Sequence, residues 1–411
     1  MLRMRRKYVN VRTGALLGPA FVAAIAYVDP GNVAANITAG AKYGYLLVWV
    51  LVVANGIAVM VQYQSAKLGV VTGRTLPQML GDRLPGKSRL AYWGQAEIVA
   101  GATDIAEVIG GAVALHLLFG LPLPVGGLIV GLVSIALLTT ANRRRQRQFE
   151  TIIVGLLAVI VVGFLAGLVV SPPDAGGVLG GMVPRLDGTE TVLLAASMLG
   201  ATVMPHAIYL HSSLVVDRHG VPTTPQRIRK LLSATKVDVW VALVLAGVVN
   251  IALLVLAATS LYGHPGTESI EGAHAAVRDA LGPIVAGAFA VGLLASGIAS
   301  TSVGSYAGGA IMAGMLRKQF PMVVRRAVTL IPALIILAVG IDPTTALIVS
   351  QVVLSFGIPF AIIPLRRYTS DRTLMGQFVD GPWLRWASVV AVVAVVVLNV
   401  ALIGLTVTGS G

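Results

Sequence analysis

Eleven predominantly apolar stretches, each about 20 residues or longer, constrain the fold of this 411-residue chain more than any other feature. A helix of about 20 apolar residues crosses a hydrocarbon core roughly 30 Å thick. Only 11% of the residues are charged and 56% are hydrophobic, whereas a soluble domain carries about 25% charged residues. We therefore predict an all-α polytopic membrane protein with a single transmembrane domain. Its spans, numbered 1 to 11 in chain order, are predicted near residues 14–40, 45–66, 92–118, 121–140, 151–171, 190–216, 234–259, 283–314, 323–341, 344–365 and 383–408.

Basic residues are distributed unevenly among the loops of these predicted spans. With the N-terminus in the cytoplasm, all but three of the 30 lysines and arginines fall on the inner side, and the exceptions are Lys42, Arg185 and Arg278. Positive residues favour the cytoplasmic side of a membrane. The pattern predicts a cytoplasmic N-terminus and an outer C-terminus, and the compact loops suit the inner membrane of a cell. This distribution also explains the net charge of +13 without a nucleic-acid partner. We therefore expect membrane lipid, and no nucleic acid, around the protein.

The chain has no cysteine, which excludes disulfides, thiolate zinc sites and catalytic thiols. No cleavable signal peptide is evident before span 1, since the basic start MLRMRRKYVNVR leads directly into it. Neither observation indicates a soluble or secreted domain.

Two of the spans are interrupted at corresponding positions. AYVDPGNVAAN, residues 26–36, places an aspartate, a proline and a glycine inside span 1, and LLAASMLGATVMPHAIYLHSSLVV, residues 193–216, places Pro205 inside span 6. We predict two five-helix repeats, near residues 14–171 and 190–366, with an extra helix near 383–408. Five is odd, so the second repeat is inverted in the membrane. A single break is an ordinary proline kink, but two matched breaks with polar groups indicate a transporter site at the midplane.

The residues at the breaks favour a cation. Half-helices that end near Val28 and Gly200 would expose unpaired carbonyls and the negative ends of their dipoles. Asp29 adds a carboxylate and Asn32 an amide oxygen, and the second break offers the Ala201 carbonyl and the Met204 thioether. Oxygen ligands alone would suit Na⁺ or Mg²⁺, whereas a sulfur ligand beside them favours Mn²⁺, Fe²⁺, Co²⁺ or Cd²⁺. An isolated methionine would instead be read as a gap-filling core residue.

The pair of motifs resembles a known family. DPGN in span 1 with ATVMPH in span 6 is similar to the Nramp family of divalent-metal transporters, and most to its prokaryotic proton-coupled manganese transporters; the similarity extends through QVVLSFGIPFAIIPL in span 10. The resemblance implies the LeuT fold, with helices 1 and 6 unwound at the midplane. It implies metal contacts at Asp29, Asn32, Met204, the Ala201 carbonyl and Gln351. It also implies inward transport of a divalent metal with a proton, no enzymatic activity, no resident cofactor and a functional monomer.

Three further carboxylates lie in span 3, in AEIVAGATDIAEVIGG. Glu97, Asp104 and Glu107 are spaced so that they line one helical face. Carboxylates within a membrane are costly and mark ion or proton pathways, although a buried structural pair is the plainer alternative. The family resemblance implies that Asp104 receives the proton and that Glu107 and Glu97 are its partners.

Two histidines and two arginines are the remaining candidates. His206 and His211 follow Met204 in span 6, and a histidine suits a proton relay or gate because it titrates near neutrality. Either could equally be a packing residue. Membrane topology alone explains Arg325 and Arg326 at the start of span 9, whereas the family resemblance implies that they are counter-ions on the proton path.

Other functions remain as alternatives. An organic-substrate symporter of the same fold is disfavoured because Asp29 would repel a substrate carboxylate. A cation channel fits broken helices less well than rocking bundles do. An intramembrane hydrolase would need a nucleophile or zinc motif such as HExxH, and the sequence has none.

Overall fold

The computed structural model describes residues 18–138, 146–222, 224–318 and 321–408, and these residues contain helices and no strand. The basic residues Arg3, Arg5, Arg6, Lys7, Arg12, Arg143, Arg144 and Arg145, together with positions 14–17 of span 1 and 139–140 of span 4, lie outside the described residues. The spans are Pro19–Ile25 with Pro30–Tyr43, Val48–Thr72, Gly86–Phe119, Leu123–Leu138, Gln146–Val170, Gly188–Thr202 with Pro205–His219, Pro225–Ser260, Pro283–Leu316, Met322–Val339, Pro343–Thr369 and Pro382–Thr408.

The order and number of these helical segments agree with the eleven predicted spans. Seven of the described helices are long and apolar enough to cross a membrane, counting both halves of span 6 as one helix, and three shorter apolar helices lie at Pro19–Val28, Leu123–Leu137 and Val154–Val170. Four short helices that the sequence analysis did not predict occupy the loops, at Leu76–Arg83, Ala175–Gly180, Ile270–Leu281 and Arg372–Met375.

Many spans begin on proline, which fits the first helical turn because it needs no N–H partner there. The prolines at these positions are Pro19, Pro30, Pro205, Pro225, Pro283, Pro343 and Pro382. Span 7 starts nine residues before its predicted boundary, at Pro225. Its first turns are polar and capped by the Thr224 side chain, which accepts from Arg227 N at 3.4 Å. Hydrophobicity therefore indicates where a span crosses the membrane but not how far its helix continues beyond it.

The two broken spans lie inside the bundle. Span 7 packs along the second half of span 1, span 8 along span 3, and span 10 along the first half of span 6. Both halves of each broken span are almost entirely buried in the described structure. The polar groups at the breaks are therefore surrounded by protein, as irregular backbone at membrane depth requires.

Span 11 is fixed to the body by buried polar contacts. Lys67, which the sequence analysis counted among the inner basic residues, is buried in span 2 and pairs with Asp380 at 2.7 Å. Gln64 donates to the same carboxylate at 2.8 Å. Asp380 lies two residues before span 11, within which Asn399 donates to the Ser355 carbonyl of span 10 at 3.1 Å. The extra helix is therefore an integral part of the packed structure.

Candidate functional site

The break in span 1 is centred on Asp29. The helix tightens into a 3₁₀ turn over Ala26–Val28 and stops at Asp29, whose backbone is extended, and a new helix starts at Pro30. The Asp29 side chain caps this second helix, because Oδ1 accepts from Asn32 N at 2.8 Å. A carboxylate at a helix N-terminus is favourable to both the free N–H groups and the helix dipole. Asp29 is therefore held in place by the half-helix that follows it.

The break in span 6 lies directly opposite. Its first half ends at Thr202, Val203 is not helical, and the second half starts at Pro205 after an extended Met204. Asn32 joins the two breaks: its Nδ2 donates to Asp29 Oδ1 at 2.7 Å and to the Ala201 carbonyl at 2.9 Å. A carboxylate oxygen and a main-chain oxygen thus converge on one donor, at the point where the two half-helices meet.

Span 10 supplies a third element to this point. Gln351 Nε2 lies 3.2 Å from Asp29 Oδ2. Gly31 makes the approach possible, since a Cβ at that position would overlap the Gln351 amide. Gly200 likewise allows span 6 to approach span 10 closely, since a Cβ at this position would overlap the Gln351 carbonyl. The sequence resemblance pointed to Gln351, and the structure brings it to the other predicted residues.

Met204 is completely buried, as are Asp29, Asn32 and Gln351. The site is therefore closed to solvent from both sides. No group of three or more histidine, cysteine, aspartate or glutamate side chains that could hold a metal is found among the described residues. Any cation here would depend on one carboxylate together with amide, carbonyl and thioether groups.

One expectation from the sequence is wrong in part. Loose carbonyls were expected at the end of the first half-helix of span 1, but the Tyr27 carbonyl accepts from Asn250 Nδ2 at 2.7 Å and the Val28 carbonyl accepts from Ser296 Oγ at 2.5 Å. Buried carbonyls need partners, and spans 7 and 8 provide them. Likewise, the Asn32 amide presents its nitrogen to Asp29, while its oxygen accepts from Thr202 Oγ1 at 3.4 Å.

The carboxylates of span 3 face two arginines of span 9. Glu97 Oε1 lies 2.7 Å from Arg325 Nη2, and Asp104 Oδ1 lies 3.4 Å from Arg326 Nη1. Arg326 is fully buried and is also held by Ser134 Oγ at 2.9 Å. Both predicted arginines therefore face predicted acids across spans 3 and 9.

Glu107 completes this acidic face next to span 8. A Cβ on Gly304 would lie 3.1 Å from both Glu107 carboxylate oxygens and 3.3 Å from Asp104 Oδ1. One turn beyond Glu107, Gly110 packs against Pro30, the residue after Asp29. Among the described residues, no hydrogen bond reaches either Asp104 oxygen or Glu107 Oε2. The acidic face thus lies beside the break in span 1, and some of its carboxylate oxygens accept no hydrogen bond among the described residues.

The two histidines have different surroundings. His206 Nδ1 is 3.3 Å from Thr103 Oγ1, so this ring lies against span 3 next to Asp104. His211 Nδ1 is 2.8 Å from Gln62 Oε1, and Gln62 Nε2 in turn donates to the Tyr27 hydroxyl at 2.6 Å. His206 therefore contacts the acidic helix, whereas His211 is connected to the break in span 1 through span 2.

Several polar residues that hold span 1 in place were not predicted from the sequence. Asn250 and Ser296 hold the first break, and Asp238 accepts from Gly18 N at 3.1 Å and Ala20 N at 3.0 Å. Asp238 lies inside the stretch predicted as span 7, where a carboxylate is costly, and that signal could have identified it. Asparagine and serine in a membrane helix give a much weaker signal.

Comparisons with known proteins agree with this architecture. The family model "Nramp: Natural resistance-associated macrophage protein-like" matches residues 20–405. The chain is 59% identical over 394 residues to the divalent metal cation transporter MntH of Mycobacterium tuberculosis H37Rv, covering 96% of this chain and 92% of that one. It is 44% identical over 390 residues to the protein of the same name from Bacillus subtilis 168, covering 94% and 91%.

Solved structures extend the comparison to the fold. The Eremococcus coleocola manganese transporter, crystallised with an aromatic bis-isothiourea substituted compound, is 30% identical with a TM-score of 0.85, covering 97% of this chain and 89% of that one. MhsT in complex with L-phenylalanine is 14% identical with a TM-score of 0.58, covering 96% and 100%, and this likeness shows the LeuT fold alone. Given the family match along almost its entire length, the chain is a multi-pass membrane protein that belongs to the Nramp family.

Proposed function

We propose that this protein imports divalent transition-metal ions, Mn²⁺ and also Fe²⁺, Co²⁺ and Cd²⁺, together with protons by alternating access. The observation that carries the proposal is the convergence of the Asp29 carboxylate and the Ala201 carbonyl on a single donor between two broken helices. The names of the relatives, divalent metal cation transporter and manganese transporter, support it.

The metal, as the transported substrate, would take the place of that donor. A half-turn of the Asn32 amide exchanges its nitrogen and oxygen, which would give the ion three oxygens, from Asp29, Asn32 and Ala201. Met204 would add a soft sulfur, which favours Mn²⁺ over Ca²⁺ and Mg²⁺. Gln351 would join from span 10, because its amide already lies beside Asp29.

The proton path in this proposal follows span 3. A proton would pass from the site region to Asp104, with Glu107 and Glu97 as partners, His206 and His211 as relay groups, and Arg325 and Arg326 as counter-ions towards the inside. The buried acceptor atoms of Asp104 and Glu107 support this path, since carboxylates buried within a membrane mark proton relays.

The remaining parts of the proposal concern the whole protein. The distribution of basic residues supports a cytoplasmic N-terminus and an outer C-terminus, and we place the protein in an inner membrane. We further propose that the protein works as a monomer, catalyses no reaction, carries no resident cofactor and binds no nucleic acid.

Uptake into proteoliposomes that contain a pH dye tests the proposal directly. We expect Mn²⁺ to enter and acidify the lumen, while Ca²⁺ and Mg²⁺ enter poorly. Asp29→Ala should abolish uptake, whereas Asp279→Ala, which changes an exposed acid outside the spans, should leave it unchanged. Mn²⁺ entry without acidification would overturn proton coupling, and a folded protein that admits no Mn²⁺ would overturn the metal site itself.

A further inference from the structure

A groove opens between the beginning of span 3 and the middle of span 10. Its volume is about 490 Å³. Its lining is almost entirely apolar, and the side chains that form most of it are Ala91, Gln95, Ile98, Val353, Phe356 and Phe360. Ile98 is 67% exposed and Phe360 43%. In a membrane protein such exposed apolar side chains face lipid, so the groove opens sideways into the bilayer.

One end of the groove is strongly basic. Span 3 starts at Gly86 and span 10 ends at Thr369. These two ends lie near each other, since the Arg83 guanidinium, just before span 3, lies 5.0 Å from the centre of the Tyr368 ring. Further along the two helices, the Tyr92 and Phe360 rings pack edge to face at 5.8 Å. The basic residues near this end of the two helices are Arg83, Lys87, Arg89, Arg366 and Arg367.

The nearby acids neutralise this end only in part. Asp82 pairs with Arg74 and with Arg317. Asp371, which accepts from the backbone and hydroxyl of Thr373 at 2.8 and 2.7 Å, offsets the charge of Arg83. Lys87 and Arg367 are exposed. They therefore present positive charge at the level where an apolar groove reaches the membrane surface.

We propose that this groove binds an anionic phospholipid of the leaflet that faces the basic end, which is the cytoplasmic leaflet in the orientation given above. One acyl chain would lie in the groove between spans 3 and 10, and the phosphate would lie near Lys87 and Arg367. Basic residues at the membrane surface attract anionic lipid headgroups. A zwitterionic phospholipid would fill the groove equally well but would gain less from the basic residues, because its own positive group offsets the phosphate charge.

Gln95 is the one polar side chain among the described residues that line the groove. It lies about two turns inward from Lys87 and Arg89, the depth at which the glycerol and ester groups follow a headgroup. Ester oxygens only accept hydrogen bonds, so the amide nitrogen of Gln95 is the atom that would donate to a bound lipid.

The groove also adjoins the moving part of the proposed transporter. Its inner wall includes Gly357, where a Cβ would lie 2.7 Å from Val99 of span 3 and 3.0 Å from Pro205 at the second break. A bound acyl chain would therefore fill the space beside the contact between spans 3, 6 and 10. The lipid site rests on the membrane assignment and does not depend on which ion is transported.

Photolabelling with a phosphatidylglycerol that carries a diazirine in its acyl chain tests the site, with the matching phosphatidylcholine as reference. We expect phosphatidylglycerol to label peptides that contain residues 91–99 and 353–360 in preference to phosphatidylcholine. Lys87→Gln with Arg367→Gln should reduce this labelling by about fivefold per residue. The control pair Lys230→Gln with Lys236→Gln, exposed on span 7, should leave it unchanged.

A second variant tests the groove independently of charge. Ile98→Trp fills the opening and should remove labelling at residues 353–360, while a cooperative thermal unfolding transition in detergent shows that the protein is folded. Equal labelling by the two lipids, undiminished labelling in the charge variant, or undiminished labelling in Ile98→Trp would each overturn the proposal.

Discussion

Asn32 is the side chain on which the geometry of the site depends. It donates to Asp29 and to the Ala201 carbonyl and accepts from Thr202, so one amide links the breaks of spans 1 and 6. An amide carries both donors and an acceptor. The same residue can therefore hold the two breaks together through its nitrogen and, after a half-turn, offer its oxygen to a cation. Neither aspartate, which has no donor, nor leucine, which is apolar, could do both.

Met204→Ala should weaken ion selection more than it weakens Mn²⁺ transport. The thioether is the soft group at the site, and its loss leaves oxygens that Ca²⁺ and Mg²⁺ also accept. We expect the ratio of Mn²⁺ to Ca²⁺ uptake to fall about tenfold, which corresponds to about 1.4 kcal/mol. Competition assays in proteoliposomes measure this ratio. An unchanged ratio, with Mn²⁺ uptake preserved, would mean that Met204 only fills space.

Asp104→Asn should separate metal binding from proton movement. The substitution keeps the shape of the side chain and removes the group that accepts the proton, so luminal acidification should be lost. Mn²⁺ binding, measured by calorimetry, should remain, and its persistence also shows that the variant is folded. Asp279→Asn, at an exposed position, is the control and should behave as the unmodified protein. Proton uptake that continues in Asp104→Asn would contradict the proposed path.

Some residues of this network could be predicted from sequence and others could not. Asp29, Asp104 and Glu107 stand out because a carboxylate is rare in an apolar span. Arg325 and Arg326 are ambiguous in sequence, since topology also explains basic residues at the end of a span. The pair of Lys67 and Asp380 could not be predicted, because the two residues are 313 positions apart and each looks like an ordinary loop charge.

At the scale of helices, the start of span 1 depends on span 7. The N–H groups of Gly18 and Ala20 have no partners within their own helix, as at any helix N-terminus, and the Asp238 side chain accepts from both. A residue 220 positions away thus caps the first half of a broken span. This half-helix has only seven residues, too few to be stable alone.

Asp238→Ala should therefore destabilise the protein. The change leaves two main-chain donors without the carboxylate that satisfies them, one of them on the buried residue Ala20, and each unsatisfied buried donor costs about 1–3 kcal/mol. Thermal unfolding in detergent measures the effect, with Asp279→Ala as an exposed control expected to change little. If both variants unfolded at the same temperature, the cap would contribute nothing to stability.

The predicted helix ends show where sequence reasoning is weakest. Span 8 starts at its predicted residue, Pro283, because glycine and proline mark the start. Span 3 starts at Gly86, six residues before the predicted boundary, because its polar first turns carry no hydrophobic signal. The amphipathic loop helix Ile270–Leu281 was missed for the same reason, since a short half-buried helix looks like a polar loop.

At the scale of the whole molecule, the architecture was the most predictable property. The number of spans, the distribution of charge and the two matched breaks predict two inverted five-helix repeats. The family resemblance implies the LeuT fold, and the solved structures share that fold. Span 11 lies outside both predicted repeats, yet its contacts to spans 2 and 10 are buried. The boundaries of the two repeats remain a prediction, because they rest on the matched breaks in the sequence.

The closed site makes a prediction about the motion of the whole protein. Asp29, Asn32, Met204 and Gln351 are all inaccessible to solvent, so a transporter that works by alternating access must expose this point to each side in turn. The chain contains no cysteine, and Ala201→Cys therefore introduces a single thiol at the site while keeping the main-chain carbonyl. His264→Cys places a thiol in an exposed loop as the control.

A membrane-impermeant thiosulfonate reagent should modify Ala201→Cys when added to either side of the membrane, and Mn²⁺ should slow both reactions by occupying the site. His264→Cys should react from the outside only and without protection by Mn²⁺. Because the two openings exclude each other in alternating access, conditions that raise the rate from one side should lower it from the other. Rates that rise together would indicate a continuous pore, and reaction from one side only would contradict transport through this site.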